Sequence, residues 1–462
     1  MNGLTRDMTT GNTVKHLLLF SLPALVGNIF QQIYNLADTV IVGRIVGADA
    51  LAAVGASGSI TFLFFALCNG IGSGGGIIAS QYYGGHDDEK VKKCIVNTGF
   101  IMLIVPIIFG VLGFIAAPVL LKALNTPEAI LNDAIMYVRF MCFGLLFVSL
   151  YNYFASMLRA LGDSISPLFF LIASTIINII LDIIFIYSFN MGIKGAAIAT
   201  VIAQFASVVG SGLFAIKINP YFKLKKEDFV ISSNMISKVL KLGVPMSLQF
   251  ALIAISTMAL QRVVNAYGTV VVAAFTATSR IEQIVHQPYQ TLCASLATFC
   301  GQNYGANKTD RVFDGYKKGI TIMAIISVTM LIVMQVFGEF FISMFVSKPE
   351  VIKLGAMGLR ITSIFYVTLG MIYVIRGVLT GVGDSFFALF NGIIEVIGRF
   401  TFPILLTSLL GMGESGIWLS TGFVWLISGL TAWLRYYYRL KRPSVKDTAV
   451  SHPLLKRKVV SH

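Results

Sequence analysis

The sequence predicts an all-α polytopic membrane protein of about twelve transmembrane helices in two parallel six-helix repeats. Three observations predict it. The chain is 56% hydrophobic and only 12% charged, whereas soluble domains carry roughly 25% charged residues. Apolar runs long enough to cross the hydrocarbon, such as 101–121, 165–186 and 320–336, recur throughout. The second half also repeats the first: Leu161-Gly162-Asp163-Ser164 returns as Val382-Gly383-Asp384-Ser385, an offset of roughly 221 residues. That offset carries Gly192, Gly195 and Thr200 onto Gly413, Gly416 and Thr421, and Gln81, Tyr83 and Gly84 onto Gln302, Tyr304 and Gly305.

The spans must be helical, because in lipid every backbone amide has to be satisfied within its own segment. A barrel would need short alternating segments, and none are evident. The first lobe reads as spans near 16–41, 51–80, 94–121, 133–158, 165–188 and 195–218. The second reads near 239–266, 270–300, 317–346, 354–380, 386–409 and 417–440. Residues 1–218 thus form an N-terminal lobe and 219–238 a charged linker, the expected hinge or tether. Residues 239–440 form a C-terminal lobe, and 441–462 a basic tail. Asp163 and Asp384 follow glycine in short turns and are expected to cap the next helix.

The net charge of +14 does not indicate nucleic-acid binding. Its lysines and arginines fall in alternate loops: Lys90 to Lys93, Lys217 to Lys226, Lys308 to Lys318, and the tail from Arg435. The positive-inside rule makes these cytoplasmic, so both termini are expected in the cytoplasm of a multi-pass cell (inner) membrane protein. No signal for cleavage is evident. Five scattered cysteines without metal-ligand spacing read as free buried thiols. Gly70-Ile71-Gly72-Ser73-Gly74-Gly75 satisfies GxGxxG, but inside an apolar span it serves helix packing better than a dinucleotide. There is no Walker loop, HExxH or GxSxG, so neither a resident ATPase nor another enzyme is expected.

Ionisable groups inside spans are costly and therefore informative. Asp38 ends a polar helical face with Gln31, Tyr34 and Asn35, and Asp182 lies in the fifth span one turn after Asn178. Both spans run the same way, with each acid past its midpoint, so the two can meet within the lobe. Two such carboxylates do not both stay charged: either one takes a proton or a small cation sits between them, with Asn178 and Thr200 adding oxygens. The alternative is a structural, hydrogen-bonded acid. In the second lobe Glu395 and Arg399 are spaced to pair at i,i+4, while Arg280, Glu282 and His286 need partners elsewhere. Arg139 is expected to snorkel or pair with Asp133. Tyr34, Gln31, Tyr151, Phe154 and Met157 are candidates to line a substrate cavity, since aromatic and Met side chains adapt to varied ligands.

The repeat, Tyr34-Asn35-Leu36-Ala37-Asp38-Thr39, Arg159-Ala160-Leu161-Gly162-Asp163, Asn178 to Asp182, and Gly195 to Thr200 resemble the multidrug and toxic compound extrusion (MATE) transporters. So does Gly301-Gln302-Asn303-Tyr304-Gly305-Ala306. The resemblance implies twelve helices forming a V and antiport of organic cations or amphipathic drugs against H+ or Na+. It places the coupling site on Asp38, Asn178, Asp182 and Thr200, with Asn152 nearby; the first four would be the ligands of a Na+ ion. Gln261 stands where another branch has an acid, and 359–380 contains no carboxylate, which favours coupling through the N-terminal lobe. No cofactor is implied, and a monomer is expected. The nearest rival is a lipid-linked oligosaccharide flippase or polysaccharide exporter of the same wider superfamily.

Overall fold

The computed structural model describes residues 5–124 and 126–438, apart from the side chains of residues 33–40, Arg44, Ala48, Ala254, Met258 and Ala259. The first half contains α1 (Thr13–Ile41), α2 (Ala48–Gly84), α3 (Asp88–Ala123), α4 (Glu128–Ala160), α5 (Ile165–Asp182) and α6 (Gly192–Ile218). The second contains α7 (Ser233–Asn265), α8 (Thr269–Gly305), α9 (Thr309–Ser343), α10 (Pro349–Ser363), α11 (Tyr366–Gly381), α12 (Phe386–Ile404) and α13 (Ser415–Tyr436). The repeat read from sequence recurs in the backbone. α4 corresponds to α10 and α11 together, a single span bent by 51° at its middle. The π-helical turn Ile183–Ser188 after α5 has its counterpart in Leu405–Leu409 after α12.

Among the described residues ten helices are long and apolar enough to span a membrane, and the bent α10–α11 pair makes an eleventh. The twelfth is α8, with 37 residues the equal of α2 in length. Its Arg280, Glu282, Gln283, His286, Gln287 and Gln290 make it too polar to qualify by composition. A polar span is stable only if that polarity faces the protein interior or a cavity, and α8 is the helix with most to say about function.

Local chemistry sets the helix ends. Asp87 caps α3 through the Lys90 amide at 3.1 Å, and Ser232 caps α7 through the Met235 amide at 3.4 Å. In the turn after α4, Asp163 accepts from the amides of Ile165 and Ser166, at 3.1 and 2.9 Å, as expected of a cap. Its counterpart departs from expectation: Asp384 pairs with Arg435 of α13 at 2.9 Å. Arg139 is held by the Phe114 carbonyl (3.4 Å) and lies 4.8 Å from the Phe114 ring centre, rather than pairing with Asp133.

Each half packs its first helix on the other half: α1 lies against α8 and α5, and α7 against α2 and α12. The GxGxxG stretch explains the second contact. A Cβ on Gly70 would fall 2.3 Å from the Ser247 amide nitrogen, and one on Gly74 2.6 Å from that of Gly243. Small residues four apart on both helices bring the backbones together. The Ser247 hydroxyl uses that approach to donate to the Leu67 carbonyl at 2.6 Å. The linker between the halves is short, since α7 already begins at Ser233, and it is strapped to α3. Asn97 donates to the Val230 carbonyl at 3.0 Å and accepts from the Ser232 amide at 2.7 Å. The Tyr221 hydroxyl donates to Asp88 at 2.7 Å. The tail at 441–462 lies outside the described residues.

The halves are sealed at the end where the described chain begins and finishes. Gln81 Nε2 donates to the Gly381 carbonyl at 2.8 Å; the equivalent Gln302 Nε2 donates to the Ala160 carbonyl at 3.0 Å. The N-terminal segment crosses this seal. Arg6 N bonds the Leu161 carbonyl (3.3 Å), and Met8, fully buried, donates its amide to Gln302 Oε1 (2.9 Å). The Arg311 guanidinium gathers the carbonyls of Met8 (3.0 Å), Gly11 (3.0 Å) and Thr10 (3.3 Å). At the opposite end a Cβ on Gly55, Gly58 or Gly268 would meet nothing within 4 Å. The arrangement is a V, closed at the basic end.

Candidate functional site

Above the seal lies a cavity of about 500 Å³, in the size range of small-molecule sites. Both halves build it: α2 and α4 on one side, α7, α8, α11, α12 and α13 on the other. Its apolar wall includes Phe62, Phe65, Phe250, Tyr373 and Trp425. Its polar groups include Asn69, Ser73, Arg159, Gln249, His286, Gln290, Arg376, Glu395 and Arg399. His286 packs edge-on against Trp425, ring centres 5.6 Å apart, and 6.3 Å from Tyr373. Cys293, half-buried, is also in the lining, while the other four cysteines are buried and all five are free.

Arg376 is the hub of the C-terminal wall. It donates to Glu395 Oε1 at 3.2 Å and Asn391 Oδ1 at 3.0 Å, with the Tyr373 ring centre 5.5 Å away. With its amide turned to suit its neighbours, Gln249 adds Oε1 at 2.9 Å from Nη1 and 3.0 Å from Nε. The expected Glu395–Arg399 bridge is therefore replaced. Glu395 turns to α11, and Arg399 turns to α7, where Nη1 donates to Thr257 Oγ1 at 3.2 Å. Sequence reasoning missed Arg376, yet the signal was there: a lone guanidinium within the apolar run 371–382 costs about 2.5–3.5 kcal/mol at mid-membrane and is kept only for a partner. Side-chain exposures of 12% and 9% place the Arg376–Glu395 pair out of water. Glu395→Gln leaves the guanidinium without its counter-charge, so thermal unfolding in detergent should show a loss of about 3 kcal/mol.

The acid in the N-terminal half is equally enclosed. Asp182, the last residue of α5, is fully buried, and Asn178 is buried beside it. With its amide suitably turned, Asn178 donates to Asp182 Oδ2 at 2.9 Å and accepts from the Thr200 amide at 3.2 Å, clamping α5 to α6. The Thr200 hydroxyl donates to the Ala196 carbonyl of its own helix at 3.0 Å. Asp182, Asn178 and Thr200 thus meet at one place, just before a π-helical turn, a local widening that recurs at functional sites. The side chains of Asp38 and Tyr34 lie outside the described residues. The α1 backbone packs on α5, and the π-helical turn that ends it touches the turn after Asp182. Asn152 donates to the Val148 carbonyl on its own helix at 2.9 Å.

Of the residues expected to line a substrate cavity, Gln31, Tyr151, Phe154 and Met157 are not in the wall of this void, and the Tyr34 side chain lies outside the described residues. Met157 is fully buried in the packing of α2, α3 and α4. Phe154 stacks between Tyr153 and Phe222, with ring centres at 5.0 and 5.9 Å, and the Tyr151 hydroxyl donates to the Pro167 carbonyl at 2.9 Å. Gln31 is exposed on α1 and absent from the cavity wall. The reason is geometric: the void forms between the halves, so α2 and α8 line it rather than the inward face of α1 and the middle of α4.

A family model described as MatE matches residues 23–184 and again residues 245–403, so it recognises each half. The chain belongs to the MatE family. Among the relatives of this MatE chain, the probable multidrug resistance protein YpnP of Bacillus subtilis (strain 168) is 33% identical over 94% of this chain and 96% of its own. The multidrug export protein MepA of Staphylococcus aureus (strain MSSA476) is 24% identical over 89% of each. The fold superimposes with a TM-score of 0.89 on the outward-facing conformation of a multidrug resistance MATE family transporter, at 22% identity, covering 96% of this chain and 99% of that one. MatE membership makes this a membrane transporter and not an enzyme.

Proposed function

We propose that this MatE protein is a secondary antiporter that exports amphipathic drug-like compounds from the interlobe cavity in exchange for H+ or Na+. The observation that carries the reading is the division of labour between the halves. A ligand-sized void lies between them, and a separate buried carboxylate, Asp182 with Asn178 and Thr200, lies inside one of them. A carboxylate sealed from water changes its local charge with occupancy, and so biases whichever conformation stabilises the occupied form. Asp38, by its place on α1, is the second carboxylate of that site. The multidrug names of the relatives support the substrate range. The basic end faces the cytoplasm by the positive-inside rule, so the sealed V opens outward, ready to release substrate and admit the cation. The protein works as a monomer, since the cavity is complete within one chain.

The rival, a lipid-linked oligosaccharide flippase or polysaccharide exporter, draws on the three arginines in the lining. A void of about 500 Å³ suits a compact ligand better than a polyprenyl-linked oligosaccharide. Cells lacking their own efflux pumps and expressing the chain are expected to retain less of at least one fluorescent amphiphile than vector controls. Asp182→Asn should erase the difference. Retention equal to the control across acidic and basic amphiphiles, together with binding of a lipid pyrophosphate by the purified protein, would replace the export reading with the flippase.

A further inference from the structure

The cavity has a polarity opposite to that expected of a site for organic cations. Three guanidinium groups face it and one carboxylate does, and that carboxylate is Glu395, already bound to Arg376. Two arginines are left over. The guanidinium of Arg159, in the last turn of α4 at the sealed floor, makes no hydrogen bond or ion pair with any described residue. Arg399 stands about 20 Å along α12 from the same end at ~1.5 Å per residue. Among the described residues its hydrogen-bond partner is the Thr257 hydroxyl, and its Nε is buried with none. Glu282, on α8, feels the Arg399 charge but lies outside the lining and beyond ion-pair distance. His286 adds no negative charge. A guanidinium held in a membrane-embedded void without a counter-ion is a large electrostatic debt, and an anion is the ligand that discharges it.

We infer that the cavity selects amphipathic organic acids, seating an apolar body on the wall formed by Phe250 and Trp425 and a carboxylate or phosphate against Arg159 or Arg399. Guanidinium is suited to this role, because its fork of N–H donors matches the two oxygens of an acid head. Arg376, saturated by Glu395, Asn391 and Gln249, is the scaffold of the wall rather than its reader. The inference rests on the interlobe cavity being the transport site of the antiport reading, and it narrows the substrate within that reading.

The test uses two probes of one shape and opposite charge, 2-naphthoate and 2-naphthylmethylammonium. Each is measured by equilibrium dialysis against the full-length protein in nanodiscs of uncharged lipid. The wild type is expected to bind the acid at least about tenfold more tightly than the amine, as charge-assisted pairing requires. Arg159→Gln combined with Arg399→Gln should remove that preference. Arg159→Lys combined with Arg399→Lys, which keeps both charges but loses the forks, should weaken acid binding yet retain a preference for the acid over the amine, and so separates charge recognition from damage to the fold. Equal or tighter binding of the amine by the wild type, or an unchanged ratio in the double variant, overturns the proposal. Dialysis reads polarity without transport. Failure of the antiport reading would instead appear as flux indifferent to cation gradients while the acid preference persists.

Discussion

Gly305→Ala is expected to unseal the basic end of the molecule and reverse the side from which the cavity is reached. A Cβ at this position would lie 1.8 Å from the Gln81 carbonyl oxygen, and the equivalent Cβ on Gly84 1.9 Å from that of Gln302. Both obstacles are helix backbone, with no side chain to swing away, so α2 and α8 must part. Parting them also breaks the Gln81–Gly381 and Gln302–Ala160 bonds, which span the same seam. Overpacking costs about 1–3 kcal/mol and each lost hydrogen bond about 1 kcal/mol. Together they exceed the roughly 2.8 kcal/mol that changes a two-state population a hundredfold. Cys293, half-buried in the cavity wall, reports the outcome. In sided vesicles a membrane-impermeant maleimide should label the wild type from the face opposite the Gln81–Gln302 seal and Gly305→Ala from the face bearing that seal. Labelling of the variant from the wild-type face alone would show that the glycine seam does not hold the closed state.

Asp182→Asn is expected to abolish gradient-driven export while leaving a folded protein. The carboxylate is fully buried, and its bond from Asn178 does not require a charge. Asparagine keeps the shape and fixes the site in a neutral form, so occupancy by H+ or Na+ no longer changes the charge inside the N-terminal half. Removing an unsolvated charge does not weaken packing, so the melting temperature should stay within a few degrees of wild type. Initial rates of uphill transport should fall at least about tenfold, because a ligand that no longer distinguishes two conformations shifts nothing. Thr200→Val should do less, since the Thr200 hydroxyl donates to the Ala196 carbonyl and lies 3.3 Å from the Asn178 side-chain amide, whereas it is Asn178 that bonds Asp182. Uphill export at the full wild-type rate by Asp182→Asn would remove this residue from the coupling step.

Much of this was legible in the chain. The repeat offset carried Gln81 onto Gln302 and Gly84 onto Gly305, and those four residues form the seam between the halves. Composition announced the spans because apolar length is the membrane's own criterion. The same criterion fails for α8, whose Gln287 is buried and whose His286 and Gln290 line the cavity, and for the α10–α11 span, which bends by 51°. The Asp182, Asn178 and Thr200 grouping was readable because an acid in an apolar helix must have local partners. The cavity wall was not readable from Tyr151, Phe154 and Met157: an aromatic or Met side chain fills a core as well as it lines a void, and only tertiary packing decides between them. Glu395 shows the same limit for charges, since i,i+4 spacing offered Arg399 while Arg376, nineteen positions earlier in sequence, completes the pair through space.

The central claim is that a cation held within the N-terminal half drives export through the cavity between the halves. Reconstitution in liposomes, with Na+ and pH gradients imposed separately, tests it most directly. The account predicts that one of the two gradients moves an amphipathic substrate against its own concentration gradient in the wild type, and that neither does so in Asp182→Asn. Substrate flux that is always downhill, with the same rate under either gradient and in the variant, would contradict it.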